Sequence, residues 1–265
     1  MKVKTIELKG NKGTIKIEDT YLHFVNAIRR TMISELPKLA IDDVIIYDNT
    51  SPLFDEIISH RLGLVPIPTD LRLLNFRDEC KCNGAGCPSC TVRYTLSKEE
   101  EGMIYSGDLQ PEHKSFAIKE DKIPIVKLSK DQRIILEVEA VLGRAKDHAK
   151  WQTIIAPSYK MDVSIDVDKK KLDDVKDFIN DIPSGMVELK NDKIELIDES
   201  RFPIFESYVE KSKIDFIKIN KDPSKITFKF ETDGSLSAKD ALKESVDILV
   251  NKYDQFVKLL GKKQK

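Results

Sequence analysis

The fold of this chain is decided by residues 22–68, LHFVNAIRRTMISELPKLAIDDVIIYDNTSPLFDEIISHRLGLVPIP. The stretch predicts a helix, a buried strand and a second helix, in that order. Pro37 ends the first helix, and the β-branched run at residues 44–47 favours a strand. Asp55 opens the second helix with negative charge in its first turn. The stretch contains no nucleophile and no phosphate-binding loop, so it indicates a scaffold.

The first helix is predicted to have one apolar face. Residues at helical spacing form that face: Phe24, Ala27, Ile28 and Thr31. Polar residues lie on the neighbouring faces: Asn26, Arg29 and Arg30. The arginine pair has two interpretations, a solvated helix face or a contact with a partner subunit.

Composition bounds the class of protein. The chain has 265 residues, of which 40% are hydrophobic and 34% charged, and its formal net charge is −1. This is typical of a soluble protein with more than one domain. No apolar run is long enough to span a bilayer, and the first residues lack a signal-peptide core, so we expect no membrane contact. Nucleic-acid-binding proteins usually carry a basic surface, and the near-zero charge therefore predicts little direct DNA contact.

The four cysteines form the sharpest chemical signal. Cys80, Cys82, Cys87 and Cys90 lie within eleven residues in the pattern C-x-C-x4-C-x2-C. Four thiolates suit a closed, tetrahedral, structural Zn²⁺ site, whereas a catalytic zinc usually keeps an open position. An iron–sulfur cluster and free or transiently oxidised thiols are the alternatives. Clustered cysteines favour a metal site in a reducing compartment, and we expect a cytoplasmic protein.

The final helix, from Ser237 to about Leu260, is predicted to have two apolar stripes. One stripe has heptad spacing: Leu242, Val246, Leu249, Tyr253, Phe256 and Leu260. Alone, this pattern fits either a helix packed on its own sheet or a helix that binds a partner. Two stripes favour both contacts at once.

Further elements are predicted along the rest of the chain. An N-terminal hairpin is expected at residues 3–9 and 13–18, and residues 168–221 are expected to form an insert. Within the insert we predict two helices and a hairpin that turns at Asn191–Asp192. An alternating strand is predicted at residues 226–230.

Three segments carry a family resemblance: FVNAIRRTMIS (24–34), DDV (42–44) and SPLFDEIISHRLGLVPIP (51–68). They resemble the assembly subunits of cellular RNA polymerases, in particular the archaeal members of that family. They are also similar to the third-largest subunit of eukaryotic RNA polymerase II and, more distantly, to the amino-terminal domain of bacterial alpha. The position and spacing of the cysteines resemble the zinc loop of the eukaryotic subunit.

The resemblance implies an α+β fold with three parts. An alpha-subunit-like dimerisation domain would comprise residues 1–40 and 222–265. Residues 41–167 would form an inserted β-rich domain that carries the zinc loop, residues 80–90. Residues 168–221 would form a ferredoxin-like insert. No cysteine follows Cys90, so no iron–sulfur cluster is expected there.

The resemblance also implies a function. The chain would be a non-catalytic subunit of DNA-directed RNA polymerase, a nucleotidyltransferase complex in transcription, and would pair with a smaller alpha-like subunit. The heterodimer would form the platform for the large subunits. Further expected partners are the second-largest catalytic subunit and small zinc-binding polymerase subunits, which the family places near Gly143, Lys146, His148 and Lys150. The expected subunit interface comprises residues of both helices: Phe24, Asn26, Ala27, Ile28, Arg29, Arg30, Leu242, Val246, Leu249, Tyr253, Phe256 and Leu260.

Three rival interpretations remain open. A zinc-loop regulator that binds nucleic acid is disfavoured by the near-neutral charge. A metal hydrolase would need an open metal position and a nearby base, and no motif supplies them. An alpha-like homodimer is the third rival, and residues 51–68 together with the cysteines favour the heterodimeric branch over it.

Overall fold

The structure of the protein, a computed structural model, describes residues 1–191, 193–198 and 201–262. The helices in these residues are α1 (Leu22–Ser34), α2 (Asp55–Gly63), α3 (Leu172–Asp181), α4 (Phe202–Ser212) and α5 (Ala238–Lys262). The strands are β1 (Lys2–Lys9), β2 (Lys12–Glu18), β3 (Pro37–Asn49), β4 (Thr91–Lys98), β5 (Gly102–Tyr105), β6 (Gln110–Pro111), β7 (Pro124–Leu128), β8 (Ile134–Arg144), β9 (Ile154–Val167), β10 (Val187–Lys190), β11 (Lys193–Leu196) and β12 (Ile217–Thr232). Helices mixed with antiparallel sheets confirm the predicted class at this coarse level.

The chain divides into two compact units. The smaller unit contains residues 1–2, 17–22 and 160–227, and the larger one contains residues 3–16, 23–159 and those from Phe228 onward. The three-part division expected from the resemblance stays a prediction. None of the helices in the described part of the chain combines the length and the apolar character needed to cross a membrane.

The core of the larger unit lies against a four-stranded sheet in the order β3-β8-β4-β6. Strand β8 is central and pairs antiparallel with β3 on one side and β4 on the other. Helix α2 contributes Ile58 and Leu62 to this core, where both side chains are fully buried. The largest core side chain, Tyr94, donates its hydroxyl proton to the carbonyl of Phe116 at 2.9 Å, so its one polar atom is paired.

The N-terminal hairpin confirms its prediction and joins the C-terminal part of the chain. Strands β1 and β2 are neighbours in a second sheet, in the order β1-β2-β12-β9. The predicted alternation in β12 is also confirmed, because Phe228 and Phe230 are both buried. Phe230 lies so close to Gly13 that a Cβ there would meet the ring at 2.3 Å, which explains why β2 has a glycine at this position.

Helix α1 forms where it was predicted, but its buried face was predicted wrongly in part. The buried residues are Val25, Ile28, Thr31 and Met32. Phe24, expected on that face, is 36% exposed. Apolar residues occur on both flanks of this helix, and spacing alone does not decide which flank turns towards the core.

The smaller unit has its own apolar core, with Val175 and Phe205 fully buried at its centre. Helices α3 and α4 and the hairpin β10–β11 confirm the predicted elements, and Pro203 lies in the first turn of α4 as expected. Asp192 of the predicted hairpin turn lies outside the described residues. The hairpin forms a two-stranded sheet of its own, and the ferredoxin-like architecture stays a prediction.

Candidate functional site

Helix α5 meets two different environments along its length. In residues 238–245, the anchored half, Ala238, Ala241 and Ser245 are completely buried. In residues 246–261, the exposed half, the side chains leave the core, and Phe256 for example is 61% exposed. The large apolar side chains that are exposed in this half are Val246, Val250, Tyr253, Phe256, Val257, Leu259 and Leu260.

The heptad residues of α5 therefore follow a gradient. Leu242 and Leu249 are half-buried, and Val246 between them is 38% exposed. Tyr253, Phe256 and Leu260 are all more than half exposed. The stripe thus continues from the edge of the buried face into a solvent-facing apolar surface.

The expected interface residues of α1 are distributed differently. Ile28 is 4% exposed and belongs to the core of its own unit. Asn26, Ala27 and Arg29 are half-buried, and Asn26 accepts a hydrogen bond from the Arg29 guanidinium at 3.0 Å. Phe24 and Arg30 are exposed, so these two are the residues of the set that a partner reaches most directly.

An ion pair joins the end of α1 to the exposed half of α5. The Nζ of Lys252 donates to Oε1 of Glu35 at 2.8 Å, and Lys146 lies 3.9 Å from the other carboxylate oxygen. The hydrogen bond from Lys252 lowers the pKa of Glu35 below its ordinary value. Nothing in the sequence pointed to this pair, because its members lie far apart along the chain.

A buried lysine holds the turn that precedes α5. Lys38 is 3% exposed, and its Nζ lies 2.5 Å from Oδ2 of Asp233. The same ammonium group donates to the carbonyl oxygens of Lys150 at 3.0 Å and Gln152 at 3.4 Å. Asp233 in turn accepts hydrogen bonds from the backbone and hydroxyl of Ser235. Its partners satisfy the buried charge, and the start of α5 is thereby tied to β3.

The four cysteine sulfurs converge as predicted. The Sγ atoms of Cys80 and Cys87 are 3.5 Å apart, those of Cys82 and Cys90 are 3.6 Å apart, and those of Cys87 and Cys90 are 3.9 Å apart. All four lie within 4.8 Å of one another. Turns close the loop, with the amides of Cys90 and Thr91 both donating to the Cys87 carbonyl at 2.9 Å. Strand β4 begins directly after Cys90.

This geometry fits one tetrahedral ion. Four sulfurs at about 2.3 Å from a zinc ion are about 3.8 Å apart in a regular tetrahedron. Three of the six separations, 3.5, 3.6 and 3.9 Å, lie close to that value, and all six lie within 4.8 Å. In an iron–sulfur cluster the four cysteine sulfurs are divided among at least two irons, so sulfurs on different irons must lie farther apart. The donor set and the separations therefore favour a single soft or borderline metal ion.

The protonation of the thiols supports the same conclusion. The backbone N–H of Cys87 lowers the pKa of Cys82 to about 5. The backbone N–H of Cys82 acts in the same direction on Cys80, but the neighbouring thiols and burial outweigh it and raise the pKa of Cys80 to about 12. A Cys82 thiolate thus disfavours ionisation of Cys80, and a bound cation would offset this repulsion.

The loop after β8, residues 145–153, is held by aromatic and ionic contacts. The Trp151 indole covers Gly143, where a Cβ would meet the ring at 2.2 Å. Lys150 forms an ion pair with Asp42 and lies 4.5 Å from the centre of the Trp151 ring. The Nδ1 of His148 accepts the Lys150 amide at 3.1 Å, which explains His148 as a cap of the short turn 149–151. The expected contact of this loop with small zinc-binding polymerase subunits stays a prediction.

The sequence of this chain is similar to known proteins over most of its length. Residues 14–253 match the sequence model of the RNA polymerase Rpb3/Rpb11 dimerisation domain family. The chain is 36% identical over 271 residues to DNA-directed RNA polymerase subunit Rpo3 of Picrophilus torridus, covering 97% of this chain and 98% of that protein. It is 36% identical over 278 residues to Rpo3 of Thermoplasma volcanium, covering 98% and 100%. For Rpo3 of Methanosphaera stadtmanae the identity is 33% over 271 residues, which covers both chains completely.

Proposed function

Because the chain belongs to the RNA polymerase Rpb3/Rpb11 dimerisation domain family, we propose that it is a non-catalytic assembly subunit of a DNA-directed RNA polymerase. It pairs with a smaller alpha-like subunit, and the heterodimer is the platform on which the second-largest and largest catalytic subunits assemble. Nucleotide addition belongs to those large subunits. The complex acts in the cytoplasm.

The exposed half of α5 is the observation that carries this proposal. Its apolar side chains are contiguous on one helix and rimmed by lysines such as Lys252 and Lys258. Soluble proteins rarely leave so large an apolar patch in water unless a partner covers it. Heptad spacing is the pattern by which one helix packs against another. A helix of similar design on the partner is therefore the occupant that this surface suits.

Helix α1 supplies a second contact to the same partner or to a large subunit. Phe24 offers an apolar side chain and Arg30 a charge that is not buried in its own unit. Apolar residues at the centre of an interface provide affinity, whereas charges at the rim set partner choice and association rate. We assign the first role to the exposed apolar residues of α5 and to Phe24, and the second role to charged residues such as Arg30.

The cysteine loop holds one structural Zn²⁺ through Cys80, Cys82, Cys87 and Cys90. When bound, the ion cross-links residues that have too little apolar content to fold by burial. The thiolates bind, and the glycines of the loop let its backbone reverse direction, with Gly84 and Gly86 both at positive φ. The ordered loop is a surface feature available to a neighbouring subunit.

The test is co-expression with the smaller homologous subunit, followed by size-exclusion chromatography with light scattering and metal analysis. We expect a 1:1 complex with about one zinc per copy of this chain. Replacing Tyr253 and Phe256 by glutamate should abolish the complex. The double change Asn251→Glu and Gln255→Glu is the matched control, because it adds the same charge to the opposite side of the same exposed half.

Other outcomes discriminate among the rivals. A stable monomer that ignores the smaller subunit would overturn the heterodimer, and a stable homodimer would favour the bacterial-like alternative. Salt-dependent DNA binding by the isolated chain would support a nucleic-acid regulator instead. Iron in place of zinc would overturn the metal assignment without touching the dimer.

A further inference from the structure

Arg77 lies between the cysteine loop and the outer face of the sheet. Its Nε donates to the carbonyl oxygen of Gly84, between the second and third cysteines, at 3.2 Å. Its two terminal nitrogens reach Asp43 on β3 and Glu139 on β8, each at 3.4 Å. One guanidinium group thus contacts the loop backbone on one side and two strands on the other.

The sheet presents these carboxylates in register. Asp43 and Glu139 are direct cross-strand partners of β3 and β8, and Arg93 on β4 is the partner of Glu139 on its other side. Arg93 also binds Glu139, with its Nη2 at 2.9 Å from the carboxylate. Glu139 is therefore fixed by two arginines, and it gives Arg77 a rigid attachment point.

The loop is shaped to receive the guanidinium. At Gly86 an added Cβ would lie 3.1 Å from Nη2 of Arg77, tighter than an ordinary contact. Gly86 also has a φ of +82°, which a residue with a side chain rarely adopts. The backbone therefore approaches the arginine at a position where a larger residue would push the two apart.

We propose that Arg77 is a positioning residue for the metal loop, which it holds against the sheet in the form that binds the ion. The proposal rests on the zinc assignment above. Without this contact the loop loses a tie to the sheet, so the ion must order more of the loop and part of the binding free energy is lost to conformational entropy. Removing a residue that orients a metal site from beyond its ligands commonly lowers the metal affinity by about 10–100-fold.

The partly exposed position of Arg77 makes the inference specific. At 32% exposure and with contacts of 3.2–3.4 Å, the side chain adds little to global stability as an ion pair. Its three acceptors belong to three separate segments, and only a planar fork of donors reaches all of them. Its effect should therefore show in the loop and the metal, and not in the melting of the core.

The experiment measures zinc transfer from the zinc-loaded full chain to an excess of a coloured chelator. We expect Arg77→Met to release zinc about 10–100 times faster than the native chain. Arg77→Lys keeps the charge but not the fork, and its rate should fall between the two. The single tryptophan, Trp151, reports in the same samples that the larger unit remains folded.

Arg72→Met is the matched control. Arg72 lies five residues earlier and pairs with Asp70, and its side chain is 88% exposed. It should release zinc within about twofold of the native rate, since exposed pairs contribute little. Equal rates for Arg77→Met and the native chain would overturn the positioning role, as would equal acceleration by Arg72→Met. A native chain that retains no zinc would instead overturn the metal assignment itself, which separates the two failures.

Discussion

The anchored half and the exposed half of α5 belong to one continuous helix, yet they differ in the size and the burial of their apolar side chains. The anchored half buries small side chains, Ala238, Ala241 and Ser245, against the rest of its chain. The exposed half carries tyrosine, phenylalanine, valine and leucine into solvent. Small residues thus fix the helix to its own chain, and large residues remain for a partner.

Under the proposed function, one helix contributes to two cores, that of its own chain and that of the heterodimer. The ties of the anchored half are specific: the Lys38–Asp233 ion pair, the Ser237 cap and a backbone bond from Ala238 to Gly10. The exposed half has one described ion pair to the end of α1, that of Lys252 with Glu35. Substitutions in the two halves should therefore separate folding from association.

The largest effect on the stability of the chain should follow from Lys38→Met. The change leaves the Asp233 carboxylate without its buried cation, and breaking a buried pair costs about 3–5 kcal/mol. Urea unfolding of the purified chain measures the loss. The double variant Lys38→Met/Asp233→Asn should regain part of it, because no unpaired charge remains. A single variant as stable as the native chain would show that the pair does not secure the anchored half.

The paired change Tyr253→Glu and Phe256→Glu should act on association alone. Buried aromatic residues at interfaces contribute about 2–4 kcal/mol each, so the two changes together should weaken binding of the smaller subunit by about 1,000-fold or more. Both side chains are exposed in the isolated chain, so its midpoint of urea unfolding should hardly move. Isothermal titration calorimetry gives the affinity. A loss of stability without a loss of binding would reverse the roles of the two halves.

A smaller effect is expected from Ser237→Ala. The hydroxyl accepts the amide of Asp240 at 3.1 Å and lies 2.6 Å from its carboxylate, which is a helix cap. Loss of such a cap costs about 1 kcal/mol. Thermal unfolding should show this, whereas Ser237→Thr should keep most of the stability, because its hydroxyl can make both contacts. An unchanged melting temperature in the alanine variant would remove the cap from the ties of the anchored half.

The smallest effect should come from Glu35, and it depends on pH. Lys252 lowers the pKa of this carboxylate in the folded chain. The resulting stability is fully present above the unfolded pKa, about 4.3, and is lost as the pH falls through the folded value. At about pH 7 we expect the free energy of unfolding of the native chain to exceed that of Glu35→Gln by less than about 1 kcal/mol. This difference should disappear at about pH 3. A stability difference that grows on acidification would contradict the conclusion that Lys252 stabilises the ionised form of Glu35.

Local signals were predicted well from the sequence. The Ser237–Asp240 spacing identified the start of α5, and the four cysteines within eleven residues identified a cluster that the structure brings together. Both signals are short-range, so their physics is contained in a few consecutive residues. The buried face of α1 was harder to predict. Phe24 and Val25 lie on neighbouring faces of the helix, and both faces are apolar enough to be buried.

Long-range polar contacts could not be predicted. Lys38 lies between apolar residues in the chain and resembles an exposed strand lysine, and only the fold brings Asp233 to it. Arg77 likewise lies in an irregular stretch without periodicity. Its acceptors come from β3, β8 and the cysteine loop, and no spacing rule connects them. Such contacts depend on tertiary geometry, which a local pattern does not contain.

Pairing within the second sheet bears on the order of events during synthesis. The amide of Thr232 donates to the Asn11 carbonyl at 2.8 Å, and that of Ala238 donates to the Gly10 carbonyl at 2.9 Å. The first hairpin can form these bonds only after residues far along the chain have been synthesised. Contacts of such high sequence separation form late and slowly. The exposed half of α5 leaves the ribosome later still. The strands that pair in this sheet are therefore all synthesised before the exposed apolar surface of α5 emerges.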